Sequence, residues 1–298
     1  MSRRRDKAAA QGGEGAPRIV SLLPSATEIV CALGLGDHLV GISHSCDYPP
    51  TIATLPRLTR PRPLLEGLSS GEIDAAVRAA LRDYGSVYEV DTAALELLEP
   101  DLILTQGICD VCAVPERQVR DAIETELVPG STVVSLDAHD LSAIFHSIRA
   151  VGSATGVTER AERLVADMRR RIDAVRARVA GRPTPRPRVL ALEWLDPPYV
   201  PGHWVPELIE AAGGDLVAGT ARQRSYRVEW DDLRALEPDV VLVIPCGFDR
   251  SAARLAAQRH DALLQSFGVK VHCLDASAYF SRSGPRVVDG VELLSEIL

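Results

Sequence analysis

Two cysteines with short spacing, Cys109 and Cys112, lie in the segment TQGICDVCAVP, directly after the apolar run DLIL. This spacing lets two thiolates bind one ion, as in structural zinc and iron–sulfur sites. A thioredoxin-like dithiol is disfavoured, because Pro115 predicts a helix that starts only after the second cysteine. Two small residues packing a loop are the other alternative. Cys46 and Cys246 also follow predicted strands, so we expect a metal site made of Cys46, Cys109, Cys112 and Cys246.

Other polar and aromatic side chains also follow predicted strands. In open α/β folds, ligands bind beyond the carboxyl ends of the strands. This rule selects as ligand-binding candidates Ser25, Thr27, His44, Asp47, Tyr48, Gln106, Glu193, Trp194, His203, Trp204, Phe248, Tyr279 and Phe280.

The candidates differ in the chemistry they offer. The predicted helix start at Ser25 and Thr27 presents free N–H groups to an anionic group. His44 and His203 carry imidazoles that can ligate a transition metal, and the aromatic rings can form flat apolar walls for a ligand. For any one histidine or aromatic residue, ordinary packing is the alternative. Cys31 and Cys273 fall on apolar positions and are assigned to the core.

Enzyme functions find little support in the sequence. No G-x-G-x-x-G, G-x-x-x-x-G-K-[ST] or G-x-S-x-G motif occurs, so dinucleotide redox, nucleotide hydrolysis and hydrolase chemistry lack their usual signatures. A thiol nucleophile at Cys46 or Cys109 beside His44 has no third residue to orient it. We expect a binding protein rather than an enzyme.

The composition and the amino terminus suggest a compartment. The chain has 298 residues, 46% of them apolar, and a net charge of −8, which argues against nucleic-acid binding. The start MSRRRDKAAAQGGEGAP is basic but has no following apolar run. We therefore expect a disordered tail over residues 1–17, no membrane insertion and a cytoplasmic location, where the cysteines stay reduced.

Alternating strand and helix patterns begin at residue 18 and predict an α/β fold of parallel strands with crossover helices. Capping boxes are predicted at Ser25 with Glu28 and at Ser69 with Glu72. Residues 158–180 predict one long helix with a narrow apolar stripe. This helix would link an N-terminal α/β lobe over 18–157 to a C-terminal α/β lobe over 181–298. The repeat of LELLEPDLILT as LRALEPDVVLVIP supports two lobes built alike.

These segments together resemble a known family. The stretch RIVSLLPSATEIVCALGLGDHLVGISHSCDYPP, both Glu-Pro-Asp repeats and the long helix resemble the bilobed substrate-binding proteins that deliver cobalamin and iron-siderophores to ABC transporters. The opening pattern is nearest to the cobalamin-binding branch. The resemblance implies two Rossmann-like lobes joined by one linking helix, as in class III periplasmic binding proteins, and a ligand held in the cleft between them.

Two functions follow from these observations. The first is a non-exported, cytoplasmic protein, monomeric or weakly dimeric, that holds cobalamin, a related corrinoid or another large metal-bearing ligand. Relatives that serve transporters are exported or lipid-anchored, so the missing signal argues against an ABC permease as partner. The alternative is a metalloprotein of the same fold, in which the four cysteines hold an iron–sulfur cluster or zinc for a redox, sensing or catalytic role.

Overall fold

The first half of the chain builds a parallel sheet. The computed structural model describes residues 17–62, 65, 67–107, 130–182 and 185–298. Within these ranges, the sheet has four strands in the order β2-β1-β5-β6. Its strands are β1 (Ile19–Ser21), β2 (Leu39–Ile42), β5 (Leu102–Thr105) and β6 (Thr132–Ser135), and a separate antiparallel pair is formed by β3 (Thr59–Pro61) and β4 (Tyr88–Val90). Both central strands are buried along their length, as a parallel sheet covered on both faces requires.

Helices cover this first sheet. They are α1 (Pro24–Ala32), α2 (Ser70–Tyr84), α3 (Thr92–Leu97) and α4 (Leu141–Ala154), with short 3₁₀ turns at Gly36–His38 and Pro50–Ile52. The capping box predicted at Ser69 is confirmed, since its hydroxyl accepts from the Glu72 amide and Glu72 accepts from the Ser69 amide. The box predicted at Ser25 is wrong: α1 begins at Pro24 without a side-chain cap. Glu28 is instead bonded to arginines of the second half.

A single long helix, α5 (Thr158–Ala180), links the halves with the bounds predicted for it. Its buried stripe includes Val165, Met168 and Ile172, and one continuous apolar cluster runs from α1 through this stripe to the last helix. The two halves are therefore joined by packing as well as by the chain. In the described part of the chain, no helix combines the length and apolarity needed to cross a bilayer.

The second half repeats the architecture. Over residues 185–298, all of them described, its main sheet is parallel with four strands in the order β10-β7-β12-β13. These are β7 (Arg188–Leu192), β10 (Asp215–Leu216), β12 (Val240–Val243) and β13 (Lys270–Cys273), beside an antiparallel group of β8 (Trp194–Leu195), β9 (Pro198–Val200) and β11 (Tyr226–Arg227). The helices are α6 (Val205–Ala211), α7 (Trp230–Arg234), α8 (Arg250–Arg259), α9 (Asp261–Gln265), α10 (Ala276–Tyr279) and α11 (Val287–Ile297).

The Glu-Pro-Asp repeat seen in the sequence is a repeat in the structure. In both turns the glutamate has a positive φ, +41° and +45°. In the first half the Asp101 carboxylate accepts from the Arg18 amide at 3.0 Å. In the second half Asp239 accepts from the Arg188 amide at 2.7 Å. In both halves, this turn joins a helix to the strand after it. Its aspartate also binds the start of a neighbouring strand.

Candidate ligand-binding cleft

Residues that follow strand ends in one half contact residues that follow strand ends in the other. These contacts are centred on Arg282, Trp194 and His203, all from the second half. The predicted binding residues can be judged by whether they belong to these contacts or to the core.

Arg282 forms an ion-pair network between the lobes that is buried at Glu28 and exposed at Asp47. Its guanidinium binds Glu28 at 3.0 Å and Asp47 at 2.6 Å, and Arg286 binds Glu28 at 2.6 Å. Arg286 also lies 4.1 Å from the centre of the Tyr48 ring, a cation–π contact. Burial of the Asp47 carboxylate raises its pKa, but the hydrogen bonds and the charge of Arg282 lower it by more. The pKa of Asp47 is therefore below its ordinary value. Asp47 and Tyr48, both predicted, therefore lie at the contact between the lobes.

Trp194 makes the second contact. Its indole N–H donates to the carbonyl oxygen of Ser70, at the start of α2, at 3.1 Å. Its ring meets the Phe248 ring edge-on with centroids 5.3 Å apart. The neighbouring Glu193 accepts a hydrogen bond from the Ser225 hydroxyl. Trp194 and Phe248 thus form an aromatic surface at the second sheet that reaches the first lobe.

His203 makes the third contact. Its ring stacks on His139 of the first lobe with centroids 6.1 Å apart, and it lies 5.8 Å from the ring of Trp204. Its Nε2 atom is buried and, within the described part of the chain, has no hydrogen-bond partner. Burial, followed by the charges of His139 and Arg224, lowers the pKa of His203. The side chain is therefore a neutral imidazole between the lobes at neutral pH.

A second ion-pair group lies beside this histidine pair. Arg222 binds Asp140 at 3.1 Å and Glu207 at 3.4 Å, and Glu207 accepts from the Leu141 amide at 2.7 Å. Asp140 also caps α4, because its carboxylate accepts from the Ala143 amide.

Several residues of these contacts were not among the predicted binding residues. They are His139, Asp140, Glu207, Arg222, Arg282 and Arg286. His139 and Asp140 follow β6, so the strand-end rule applied to that strand would have selected them. The arginines lie further from any strand and carry no such signal.

Some predicted binding residues lie in the core. Thr27 is fully buried and donates to the Ser21 hydroxyl at 2.8 Å. Ser25 and Gln106 are buried. Phe280 is buried in the shared apolar cluster, against which Tyr279 and Trp204 pack; the Trp204 indole donates to the Phe280 carbonyl at 2.9 Å. The strand-end rule gives the position of a residue but not the direction of its side chain. A side chain that follows a strand can therefore point into its own lobe.

His44 lies beside β3 and β4. Its Nδ1 is 2.7 Å from the Thr59 hydroxyl, and its ring centre is 5.1 Å from that of Tyr88. Burial, with a contribution from Arg57, lowers the pKa of His44. The Thr59 bond orients this imidazole within the first lobe.

The cysteines do not form a common site in the described residues. Cys46 is 1% exposed, packs in the apolar cluster and lies 3.1 Å from the Thr27 hydroxyl, whereas Cys246 is exposed. Cys109 and Cys112 lie outside the described residues. Within the described ranges, no three His, Cys, Asp or Glu side chains are placed to hold a metal ion. The four-cysteine metal site therefore has no support here, and Cys46 occupies a core position.

A surface cavity of about 530 Å³ is lined by residues of α4 and α5, and one of about 320 Å³ by residues of α5 and α11. Ion pairs such as Arg149 with Glu162 and Arg171 with Glu292 contribute to their walls.

In the described residues, two parallel sheets are linked by one long helix, and side chains of the two halves contact one another. A family profile described as periplasmic binding protein matches residues 19–266. The chain belongs to this family.

Individual relatives agree with this assignment. An uncharacterised ABC transporter substrate-binding lipoprotein, YvrC of Bacillus subtilis, is 26% identical over 94% of this chain and 79% of its own length. The vitamin B12-binding protein of Vibrio cholerae is 24% identical over 93% and 87%. The crystal structure of the periplasmic vitamin B12 binding protein BtuF of Vibrio cholerae superposes with a TM-score of 0.66 at 23% identity, covering 94% of this chain and 96% of that one. The expected α/β fold of helices and parallel sheets is confirmed. The argument against a permease partner finds no support, because a transporter-associated lipoprotein is among the relatives.

Proposed function

We propose that the protein binds a corrinoid, cobalamin or a close derivative, between its two lobes. The observation that carries this proposal is the set of rings at the contact between the lobes: Trp194 with Phe248, and His203 with His139. Flat apolar surfaces with a few polar groups suit a large macrocycle. The similarity to a protein named vitamin B12-binding protein supports the same ligand class.

Ligand entry requires that some of these contacts separate, because the lobes touch in this structure. A hydrogen bond such as that from Trp194 to Ser70 contributes about 0.5–1.5 kcal/mol net. Micromolar binding corresponds to about 8 kcal/mol, so breaking a few such bonds is a modest loss. The apolar cluster along α5 keeps the lobes together while the strand ends part.

The test is a titration of the purified full-length chain with aquocobalamin and with dicyanocobinamide, followed by visible absorbance and calorimetry. We expect saturable binding with one corrinoid per chain and shifted corrin bands. Iron protoporphyrin, titrated in parallel, reports whether the cleft prefers a corrin to a porphyrin. If neither corrinoid binds at micromolar concentrations, the proposal is wrong.

The cytoplasmic location expected from the amino-terminal residues stays a prediction. Fractionation of cells that express the untagged chain, with detection by antibody, tests it independently of ligand binding.

A further inference from the structure

One polar atom of His203 has no hydrogen-bond partner among the described residues. This atom, Nε2, is buried, and the ring lies between the lobes against His139. An unpaired buried polar atom costs about 1–3 kcal/mol. Such atoms are rare in native proteins and need an explanation, of which a missing bound group is one.

The backbone at His203 is strained and firmly held. Its φ is +49°, a conformation that costs about 1–3 kcal/mol for a non-glycine residue and occurs at ligand clamps. The His203 amide donates to the Gln223 carbonyl at 2.7 Å, and the Arg222 amide donates to the His203 carbonyl at 3.0 Å. At Gly202, an added Cβ would lie 2.2 Å from the Gln223 carbonyl oxygen. These two hydrogen bonds and the close approach at Gly202 hold the backbone of His203 in place and so position the imidazole.

The protonation state of His203 suits metal ligation. Burial and the nearby His139 and Arg224 lower its pKa, so the imidazole is neutral and keeps a lone pair at neutral pH. Neutral imidazole is the ligating form of histidine. His44 is also neutral, but its Nδ1 is engaged with Thr59 and its ring packs on Tyr88 of the same lobe. Of these two half-buried histidines, His203 is the one with a buried unpaired nitrogen between the lobes.

We propose that His203 Nε2 is an axial ligand of the cobalt in the bound corrinoid. The proposal rests on the proposed function and narrows its substrate class to corrinoids with an open or exchangeable axial position, such as cobinamide and base-off cobalamin. In the binding step, the Nε2 lone pair forms a bond to cobalt and a coordinated water molecule leaves. The oxidation state of cobalt does not change, and the buried nitrogen gains a partner that the described residues do not supply.

The test uses the paramagnetic Co(II) form of cobinamide bound to the full-length protein. A nitrogen ligand splits each cobalt resonance in the electron paramagnetic resonance spectrum into three lines, and ¹⁵N-labelled histidine changes these to two. We expect the splitting in the wild type and its loss in His203→Ala, with affinity for cobinamide reduced about tenfold or more. His203→Asn serves as a second variant that tolerates the positive φ and should also lose the splitting.

His44→Ala is the matched control, and it should keep the three-line pattern. Cobinamide binding without nitrogen splitting in the wild type would overturn the proposal, as would splitting that disappears in His44→Ala but persists in His203→Ala. If no corrinoid binds to the wild type, the proposed function itself fails, and that result is distinct from binding without a nitrogen ligand.

Discussion

Arg282 of the second lobe donates to both carboxylate oxygens of Asp47 in the first lobe, at 2.6 and 3.0 Å. The same guanidinium binds Glu28. The Arg282 side chain is 9% exposed and that of Glu28 is 2% exposed, but Asp47 is 64% exposed. The two carboxylates therefore bind one arginine in different surroundings, and their contributions to stability should differ.

We expect Glu28→Gln to lower the free energy of unfolding by about 3 kcal/mol, because it leaves two buried guanidinium groups without their shared carboxylate. Asp47→Asn should lower it by less than about 1 kcal/mol, because solvent screens an exposed pair. Both changes preserve side-chain shape. Urea unfolding followed by circular dichroism measures them, and equal losses in the two variants would contradict the buried network.

The stability of the protein should depend on the protonation of His203. Its pKa is below the ordinary value of 6.5, so the unfolded chain binds a proton at a higher pH than the folded chain does. The stabilisation from the neutral ring is therefore full above pH 6.5 and is lost as the pH falls through the folded-state pKa.

His44 and His272 also have lowered pKa values and act in the same direction. We expect His203→Asn to show a shallower fall in unfolding free energy from about pH 7 to pH 5 than the wild type. Urea unfolding at a series of pH values measures this slope. An unchanged slope would show that His203 titrates alike in the folded and unfolded states.

Trp194→Phe should loosen the contact between the lobes. The change keeps a ring against Phe248 but removes the donor to the Ser70 carbonyl, a loss of about 1 kcal/mol. We expect faster hydrogen exchange in the first turn of α2. Trp230→Phe is the control, because Trp230 stacks on His260 within the second lobe. Equal effects of the two variants on α2 would refute the contact.

The cysteines should differ sharply in reactivity. Burial, with smaller contributions from nearby groups, raises the pKa of Cys31 to about 11, and burial also raises the pKa of Cys46. Because the thiolate is the reactive form, we expect iodoacetamide at pH 8 to label the exposed Cys246 before Cys31 and Cys46. Buried Cys46 should react only when the chain is unfolded, and half-buried Cys31 should react slowly in the native protein. Peptide mass spectrometry measures the rates, and rapid labelling of native Cys46 would argue against its core position.

Much of the fold could be predicted because local patterns carry it. The narrow apolar stripe of α5 predicted both its length and its buried face. The Glu-Pro-Asp turns predicted where a helix ends and the next strand begins. The capping boxes show the limit of this reasoning. Ser69 and Ser25 have the same local pattern, but at Ser25 the glutamate has buried arginines from the other lobe as competing partners. The local sequence around Ser25 gives no information about arginines that are distant in the chain.

For the candidate site too, some features could be predicted from the sequence and others could not. The amino-acid sequence by itself determined the α/β lobes, the linking helix and the strand ends near which a ligand would bind, because hydrophobic periodicity and turn residues act over a few positions. Only the tertiary structure decided that Thr27 and Phe280 belong to the core and that Arg282 joins the lobes. It also decided that His203 has a buried nitrogen with no partner among the residues that the structure describes. These outcomes depend on which side chains from distant parts of the chain come into contact. They also depend on how deeply those contacts bury each side chain and which charges they place beside it.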